Sequence, residues 1–224
     1  MSVHLQREIE HLMAHLIALS ATVEYSLKQA IQSLVEKDIA MARQVIGEDH
    51  AIDVKELEIE EECLKILALY QPVAKNLRYL VAVLKINNDL ERVGDLAQNI
   101  AYNAIDIIGN SVMTKSMDHE FVAIHLKAES MFKKSLDCII NLDLTLAREI
   151  LKEDDEMDRL RWKFESDIVN EIKTSPEKAA VLVEYIAIVR DLERIADHAT
   201  NIAEDVIYLK EGEIVRHGGL HEES

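Results

Sequence analysis

The chain has 224 residues, of which 49% are hydrophobic but only 4% aromatic, and it contains only 2 prolines and 6 glycines. So few helix breakers exclude a fold rich in strands and turns, and this composition favours long helices packed through Leu, Ile, Val and Ala. The formal net charge of −17 disfavours nucleic acid and anionic membrane as partners, because both are polyanions, and it favours cations and basic protein surfaces.

Breakers at Gly47 and Pro72 divide the first half of the chain into helices. Segments too long and too polar-periodic for strands predict helices at residues 3–37, 38–46, 49–70 and 73–108. Asp38 is predicted to cap the second helix, because its carboxylate can accept orphan amide hydrogens of the following turn. The charged N-terminal segment is unlike a signal peptide, and no window approaches the ~20 apolar residues of a membrane span. We therefore expect a cytoplasmic protein without direct membrane insertion.

The same order of elements recurs after the Gly109-Asn110-Ser111 cluster. Residues 119–141 predict a long helix, and Asp143 repeats the cap of Asp38. Residues 147–158 match residues 42–53 at five of twelve positions with a shift of 105. Residues 191–203 match residues 89–101 at nine of thirteen positions with a shift of 102. The chain is thus an internal repeat.

The repeat predicts the domain organisation. Each copy has three long helices joined by short connections, which favours a three-helix bundle. The predicted fold is all-α, a tandem repeat of two three-helix bundles that pack side by side. The first bundle comprises residues 1–110 and the second residues 117–210, and the aperiodic segment 211–224 is predicted to be a flexible tail.

Four motifs share one spacing, an acidic residue followed by Asp four positions later. Residues four apart lie on one face of a helix, where two carboxylates repel each other unless a cation lies between them. If helices 49–70 and 73–108 form an antiparallel hairpin turning near Pro72, Asp53 and Glu91 each lie 19 residues from the turn. The second copy has nearly the same register around Pro176. Each copy therefore predicts one cluster of four carboxylates: Asp49, Asp53, Glu91 and Asp95 in the first, and Asp154, Asp158, Glu193 and Asp197 in the second.

The clusters point away from the apolar stripe of the late helix in each copy, which indicates a surface patch or a seam. Dense carboxylates with few histidines suit hard cations that prefer oxygen ligands. His50 and His198 are adjacent to the motifs and are further candidate ligands. The alternative is that acidic helices show this spacing by chance, with neighbouring arginines (Arg78, Arg92 and Arg194) neutralising the charge.

Other residues give weaker indications. Cys63 and Cys138 lie in apolar helical surroundings and are predicted to be core residues rather than a disulfide or metal pair. Trp162 occupies the repeat position of Leu57 and is also predicted to pack in the core. His11 and His15 are interpreted as surface histidines. No phosphate-binding loop or catalytic triad is recognisable, so we expect no enzymatic site.

Several of these segments resemble the PhoU family. The segment 71–78 (Gln-Pro-Val-Ala-Lys-Asn-Leu-Arg), the segment 84–95 that ends in Glu91-Arg92-Val93-Gly94-Asp95, and the echo at 190–197 are similar to the family's doubled motif. The resemblance covers about residues 3–210. Asn76 departs from the pattern, because the family often has Asp there.

The resemblance implies a negative regulator of phosphate uptake and phosphate-starvation signalling rather than an enzyme. PhoU-like proteins restrain a phosphate ABC transporter and its signalling to a sensor histidine kinase, so the transporter ATPase and that kinase are the implied partners. The family also implies a homodimer and multinuclear metal clusters, with iron first and Mn, Mg or Zn as alternatives. The eight carboxylates named above are the implied ligands.

Two other hypotheses remain at the level of sequence. The first is a carboxylate-bridged di-metal helical-bundle enzyme, although that class usually uses Glu-x-x-His pairs that these motifs lack. The second is an acidic surface with no cation role.

Overall fold

The computed structural model describes residues 3–110 and 118–212, and within these ranges it contains helices and no strand. The all-α prediction is confirmed, and the limits of the five helices predicted above each lie within two residues of the observed ones. The helices are α1 (Val3–Glu36), α2 (Ile39–Glu48), α3 (His50–Tyr70), α4 (Lys75–Gly109), α5 (Asp118–Asn141), α6 (Leu144–Thr174) and α7 (Ala179–Glu211), with a 3-10 turn at Pro176–Lys178 before α7.

The turn that follows the first helix is built identically in both copies. Lys37 and Leu142, at a shift of 105, adopt left-handed backbone angles with φ of 59° and 48°. The next residue then caps the following helix, Asp38 accepting hydrogen bonds from the amides of residues 40 and 41, and Asp143 from those of residues 145 and 146. Both predicted caps are confirmed.

The helices form two three-helix bundles. The first bundle consists of α1, the consecutive helices α2 and α3, and α4, while the second consists of α5, α6 and α7. The middle helix is interrupted only in the first copy, at Asp49, whose φ of −56° and ψ of −42° nevertheless remain helical. The equivalent residue of the second copy, Asp154, lies within the continuous helix α6.

The bundles lie side by side, with α4 packed along α7 and α1 against α5. Charged groups take part in this interface. Lys85 Nζ donates to Asp205 Oδ1 at 2.9 Å, and the Asp205 side chain is 2% exposed. Asp89 Oδ1 lies 2.8 Å from His198 Nδ1, so this histidine pairs across the interface.

The core is aliphatic, as the low aromatic content predicts. Cys63 and Cys138 are fully buried within it, which confirms their predicted place. Burial raises the pKa of each thiol to about 12, so neither is a reactive thiolate near neutral pH.

The prediction for Trp162 is wrong. Its side chain is 64% exposed, and Leu57, at the equivalent position of the first copy, is 56% exposed. Phe164 and Ile168 of α6 face the core, and Trp162 lies two positions before Phe164, about 200° around the helix. Arg161 lies over the indole, with 4.8 Å between Cζ and the ring centroid.

The described residues end shortly after α7. Gly212 terminates this helix with a φ of 81°, which favours glycine. The predicted link around 111–117 and residues 213–224 of the predicted tail lie outside the described residues. Within the described ranges, no helix combines the length and apolarity that crossing a membrane requires.

Candidate functional site

Three of the four predicted acids of the first copy come together where α4 passes the junction of α2 and α3. Asp49 and Asp53 come from this junction and Asp95 from the middle of α4. One carboxylate oxygen from each residue lies within 4.8 Å of the other two. The antiparallel register inferred from Pro72 therefore brings these acids together as expected.

Glu91, the fourth predicted acid, lies beside the same cluster but is held by an arginine. Arg92 Nε is 3.4 Å from a Glu91 oxygen, and its Nη1 is 3.3 Å from Asp95 Oδ2. Arg92 is about half exposed, so its charge is screened by solvent. Neutralisation by Arg92 was one of the sequence alternatives, and the structure shows that it is partial.

Asp49 is the least exposed acid of the cluster, at 8%. Its Oδ2 accepts a hydrogen bond of 2.7 Å from Gln98 Nε2. Its Oδ1 is buried and has no hydrogen-bond partner among the described residues. Burial, followed by repulsion from Asp53 and Asp95, raises the pKa of Asp49 to about 6. A cation at this point would satisfy the buried oxygen and relieve the repulsion.

Gly94 allows the two helices to approach closely at the cluster. A Cβ atom at this position would lie 3.1 Å from two side-chain carbons of Ile52 and 3.7 Å from Asp49 Oδ1. The second copy has Ala196 and Met157 at the equivalent positions, both buried. An unbranched Met can make room for a methyl group that a β-branched Ile cannot avoid as easily. The close approach at the first cluster thus depends on a glycine and isoleucine pair.

The second cluster assembles the equivalent acids from α6 and α7. Burial, then Asp197 and Asp158, raises the pKa of Asp154 to about 6. Burial is also the main cause that raises the pKa values of Glu193 and Asp197, followed by repulsion within the cluster. Each of these acids thus lies close enough to at least one other to affect its pKa. Among the described residues, however, the second copy has no set of three ligand atoms that converge as those of Asp49, Asp53 and Asp95 do.

An arginine that the sequence reasoning did not single out enters the second cluster. Arg161 Nε lies 3.3 Å from Glu193 Oε1, and its Nη2 lies 4.0 Å from Asp158 Oδ1. The arginine is only 16% exposed. At the repeat shift of 105, the first copy has Glu56 at this position. One cluster thus has an extra carboxylate where the other has a cation.

The extra carboxylate, Glu56, interacts electrostatically with the first cluster. The pKa of Glu56 is raised mainly by burial, with Asp53 among the other causes. Glu56 also keeps its place through Asn87, whose Nδ2 donates to the Glu56 backbone oxygen at 2.9 Å. The repeat alignment was the signal that could have identified both Glu56 and Arg161.

The two clusters differ in how well they fit a metal. In the first, a convergent set of carboxylates and a buried unsatisfied oxygen are suitable ligands for a hard cation. In the second, the guanidinium of Arg161 already supplies positive charge at Glu193 and Asp158. The candidate histidines contribute little, since His50 is 85% exposed with Nδ1 3.9 Å from Asp53 Oδ2, and His198 binds Asp89.

The sequence is similar to one protein family along almost its whole length. The family described as PhoU domain matches twice, at residues 16–104 and 122–206. A relative from Thermotoga maritima, the phosphate-specific transport system accessory protein PhoU homolog 1, is 36% identical over 94% of this chain and 90% of its own length. The homolog from Pseudomonas aeruginosa is 35% identical over 95% of this chain and 88% of its own length.

Solved structures agree with this similarity. The crystal structure of PhoU from Pseudomonas aeruginosa superposes with a TM-score of 0.90 at 34% identity, covering 93% of this chain and 99% of that one. The phosphate transport system regulatory protein PhoU from Streptococcus pneumoniae gives a TM-score of 0.87 at 27% identity, covering 95% and 100%. The two matched domains correspond to the two bundles described above.

Proposed function

Because this chain belongs to the PhoU family, we propose that it is a non-enzymatic negative regulator of phosphate uptake and of phosphate-starvation signalling, acting as a metal-binding adaptor. The observation that carries the proposal is the match of both domains to accessory proteins of the phosphate-specific transport system over nearly the whole chain. The coarser role, regulation of phosphate transport in association with the transport system, follows from that match alone.

The relatives also bear on the hypothesis that the chain is an enzyme. They are named as accessory or regulatory proteins and not as enzymes, which confirms that this chain is not an enzyme. The alternative hypothesis, a carboxylate-bridged di-metal helical-bundle enzyme, is therefore not supported. The acids also differ from such sites, because they lie at the junction of two helices rather than in an apolar bundle interior.

Metal binding is the part of the proposal that concerns the acids directly. We assign Asp49, Asp53, Glu91 and Asp95 to one metal cluster, and Asp154, Asp158, Glu193 and Asp197 to the other. Iron is the first candidate, with Mn, Mg or Zn as alternatives, because carboxylates without histidine suit hard cations. The metal would neutralise repelling carboxylates and so hold the middle helix of each bundle against the late helix.

The partners of the adaptor are proposed from the family and from charge. The net charge of −17 favours basic surfaces on the partner. We propose that the chain acts in the cytoplasm, as a homodimer, on the ATPase of the phosphate ABC transporter and on a sensor histidine kinase. Nucleic acid is not a proposed partner, because the field of the protein repels polyanions.

The regulatory function is tested by deleting the gene and measuring phosphate-responsive promoters in phosphate-rich medium. These promoters are expected to stay active without the protein, and the wild-type gene should restore repression. Continued repression in the deletion strain would overturn the proposal. Complementation of the deletion strain with the Asp95→Ala/Asp197→Ala variant then shows whether the acids are needed for repression. Elemental analysis of the purified, untagged wild type and variant shows whether the metal content changes in parallel.

The exchange of Glu56 for Arg161 makes a prediction about the two clusters. Arg161→Glu, which reproduces the first copy, is expected to raise the affinity of the second cluster for Mn²⁺ by about tenfold, because a cation is replaced by a carboxylate. Isothermal titration should then show a second class of binding events. Arg159→Ala, an exposed arginine on the same helix, is the control. Unchanged stoichiometry and affinity in Arg161→Glu would show that Arg161 does not limit metal binding.

A further inference from the structure

His11 and His15 lie one helical turn apart on α1, and Glu62 faces them from α3. His11 Nδ1 is 2.9 Å from Glu62 Oε1, and His15 Nδ1 is 2.9 Å from Glu62 Oε2. The two imidazole centroids are 4.2 Å apart. One potential ligand atom from each of the three residues lies within 4.8 Å of the other two.

This trio differs from the acidic clusters in its donor atoms. Two imidazole nitrogens and one carboxylate oxygen are the ligands that proteins use for Zn²⁺ and similar borderline cations, with a fourth position left for water or another ligand. The acidic clusters offer oxygen only. The trio also belongs to a separate surface, the groove between α1 and α3, whereas the acids lie between the middle and late helices.

The groove around the trio suits a cation. It is open to solvent, with a volume of about 760 Å³, and besides the trio its lining has three acids, Glu8, Glu58 and Glu61, and two cations, Arg7 and Lys65, so acidic groups outnumber basic ones. Glu62 is held in place, since its side chain is 16% exposed and the next residue, Cys63, is fully buried. The histidines are 63% and 44% exposed, so an ion can reach them.

The trio has no counterpart at the equivalent positions of the second copy. At the shift of 105, Glu120 stands at the position of His15 and Asp167 at that of Glu62. In the second copy Glu120 binds Lys163 Nζ at 2.5 Å. A lysine thus pairs with the glutamate that replaces His15, so the imidazole arrangement is specific to the first bundle.

We propose that His11, His15 and Glu62 form a Zn²⁺ site that joins α1 to α3. The ion replaces the two hydrogen bonds on Glu62 with three coordinate bonds and cross-links helices whose sequence positions are about fifty residues apart. Metal binding at one site of the first bundle thereby stabilises the pairing of its first and middle helices. The proposal does not rest on the regulatory function or on the acidic clusters.

Co²⁺ is the probe for this site, used on the untagged full-length protein. A site with two imidazoles and low coordination number gives strong visible d–d absorption, whereas all-oxygen, six-coordinate sites give weak absorption. We expect one equivalent of Co²⁺ to produce the strong band and one equivalent of Zn²⁺ to remove it. Zn²⁺ should also raise the melting temperature.

Matched variants locate the signal. His11→Ala/His15→Ala and Glu62→Gln are expected to lose the band and the Zn²⁺-dependent rise in melting temperature, while His4→Ala, an exposed histidine on the same helix, retains both. Asp49→Asn/Asp95→Asn should also retain the band, which separates this site from the acidic clusters. A wild type without the band, or a band that survives in the double histidine variant, would overturn the proposal.

Discussion

Asp49→Asn is expected to raise the stability of the metal-free protein at pH 7.5 by about 1 to 2 kcal/mol and to remove most of the stabilisation that added Mn²⁺ provides. The two effects have opposite signs because they come from the same charge. Without metal, the buried carboxylate is poorly solvated and is repelled by Asp53 and Asp95. With metal, that charge becomes a ligand.

The pH dependence follows from the raised pKa of Asp49. The carboxyl group has a pKa of about 6 in the folded protein, against its ordinary value of 3.8, so the folded state binds the proton more tightly. The contribution of the Asp49 carboxyl group to the free energy of unfolding is fully present below about pH 4, where the group is protonated in both states. It is lost as the pH rises through 4 to 6 and the folded protein has to ionise the buried group. The difference between Asp49→Asn and wild type should therefore shrink towards pH 4.

Urea denaturation at pH 7.5 and pH 4.5, with and without Mn²⁺, measures both effects. Asp106→Asn, the same substitution at an exposed position further along α4, is the control and should change neither quantity by more than about 0.5 kcal/mol. If Mn²⁺ stabilises Asp49→Asn as much as wild type, the first cluster is not the metal site. A loss of metal-free stability would mean that the Gln98 hydrogen bond outweighs the repulsion.

The largest expected loss of stability comes from the interface between the bundles. Lys85→Met removes the cation that pairs with Asp205, whose side chain is 2% exposed. Removing one partner of a buried ion pair leaves a charge in a poorly solvated place and costs about 3 kcal/mol. The value is set at the lower end of the usual range because Lys85 itself is 37% exposed.

Two further variants make this expectation specific. Lys85→Met/Asp205→Asn is expected to recover most of the lost stability, because no buried charge remains. Lys163→Met breaks the exposed pair with Glu120 and should cost less than about 1 kcal/mol. Urea denaturation of the three variants and the wild type gives the free energies of unfolding that are compared. Equal losses for Lys85→Met and Lys163→Met would show that the buried pair has no special role in joining the bundles.

The helical architecture was predictable because its signals are local. Pro72 and Gly109 lie where α3 and α4 end, and Asp38 and Asp143 each cap the helix that begins directly after them. The repeat then made the two-bundle organisation and the register of the acids predictable. Spacing along one helix and counting from a turn were enough to place Asp49 near Asp95.

What could not be predicted depends on contacts between helices that no repeat or turn relates. Glu62 meets His11 and His15 only because α1 and α3 pack in one particular register. Arg161 is an intermediate case, because the repeat alignment places it where the first copy has Glu56, and only its contact with Glu193 required the structure. Trp162 is a different case, since the stripe of Met157, Phe164 and Ile168 already places it on the opposite face.

The packing of α4 along α7 has a consequence for synthesis on the ribosome. Lys85 and Asp205 are 120 residues apart in the chain, and Asp89 and His198 are 109 apart. At a translation rate of about 5 to 20 residues per second, α7 is synthesised roughly 5 to 25 seconds after α4. All residues of the first bundle have been translated by then, so its own contacts can form while the flank that α7 later covers is still open to solvent. That flank carries Lys85 and Asp89 among its apolar residues, and these charges make it a less apolar surface for unintended association than an all-aliphatic helix face would be.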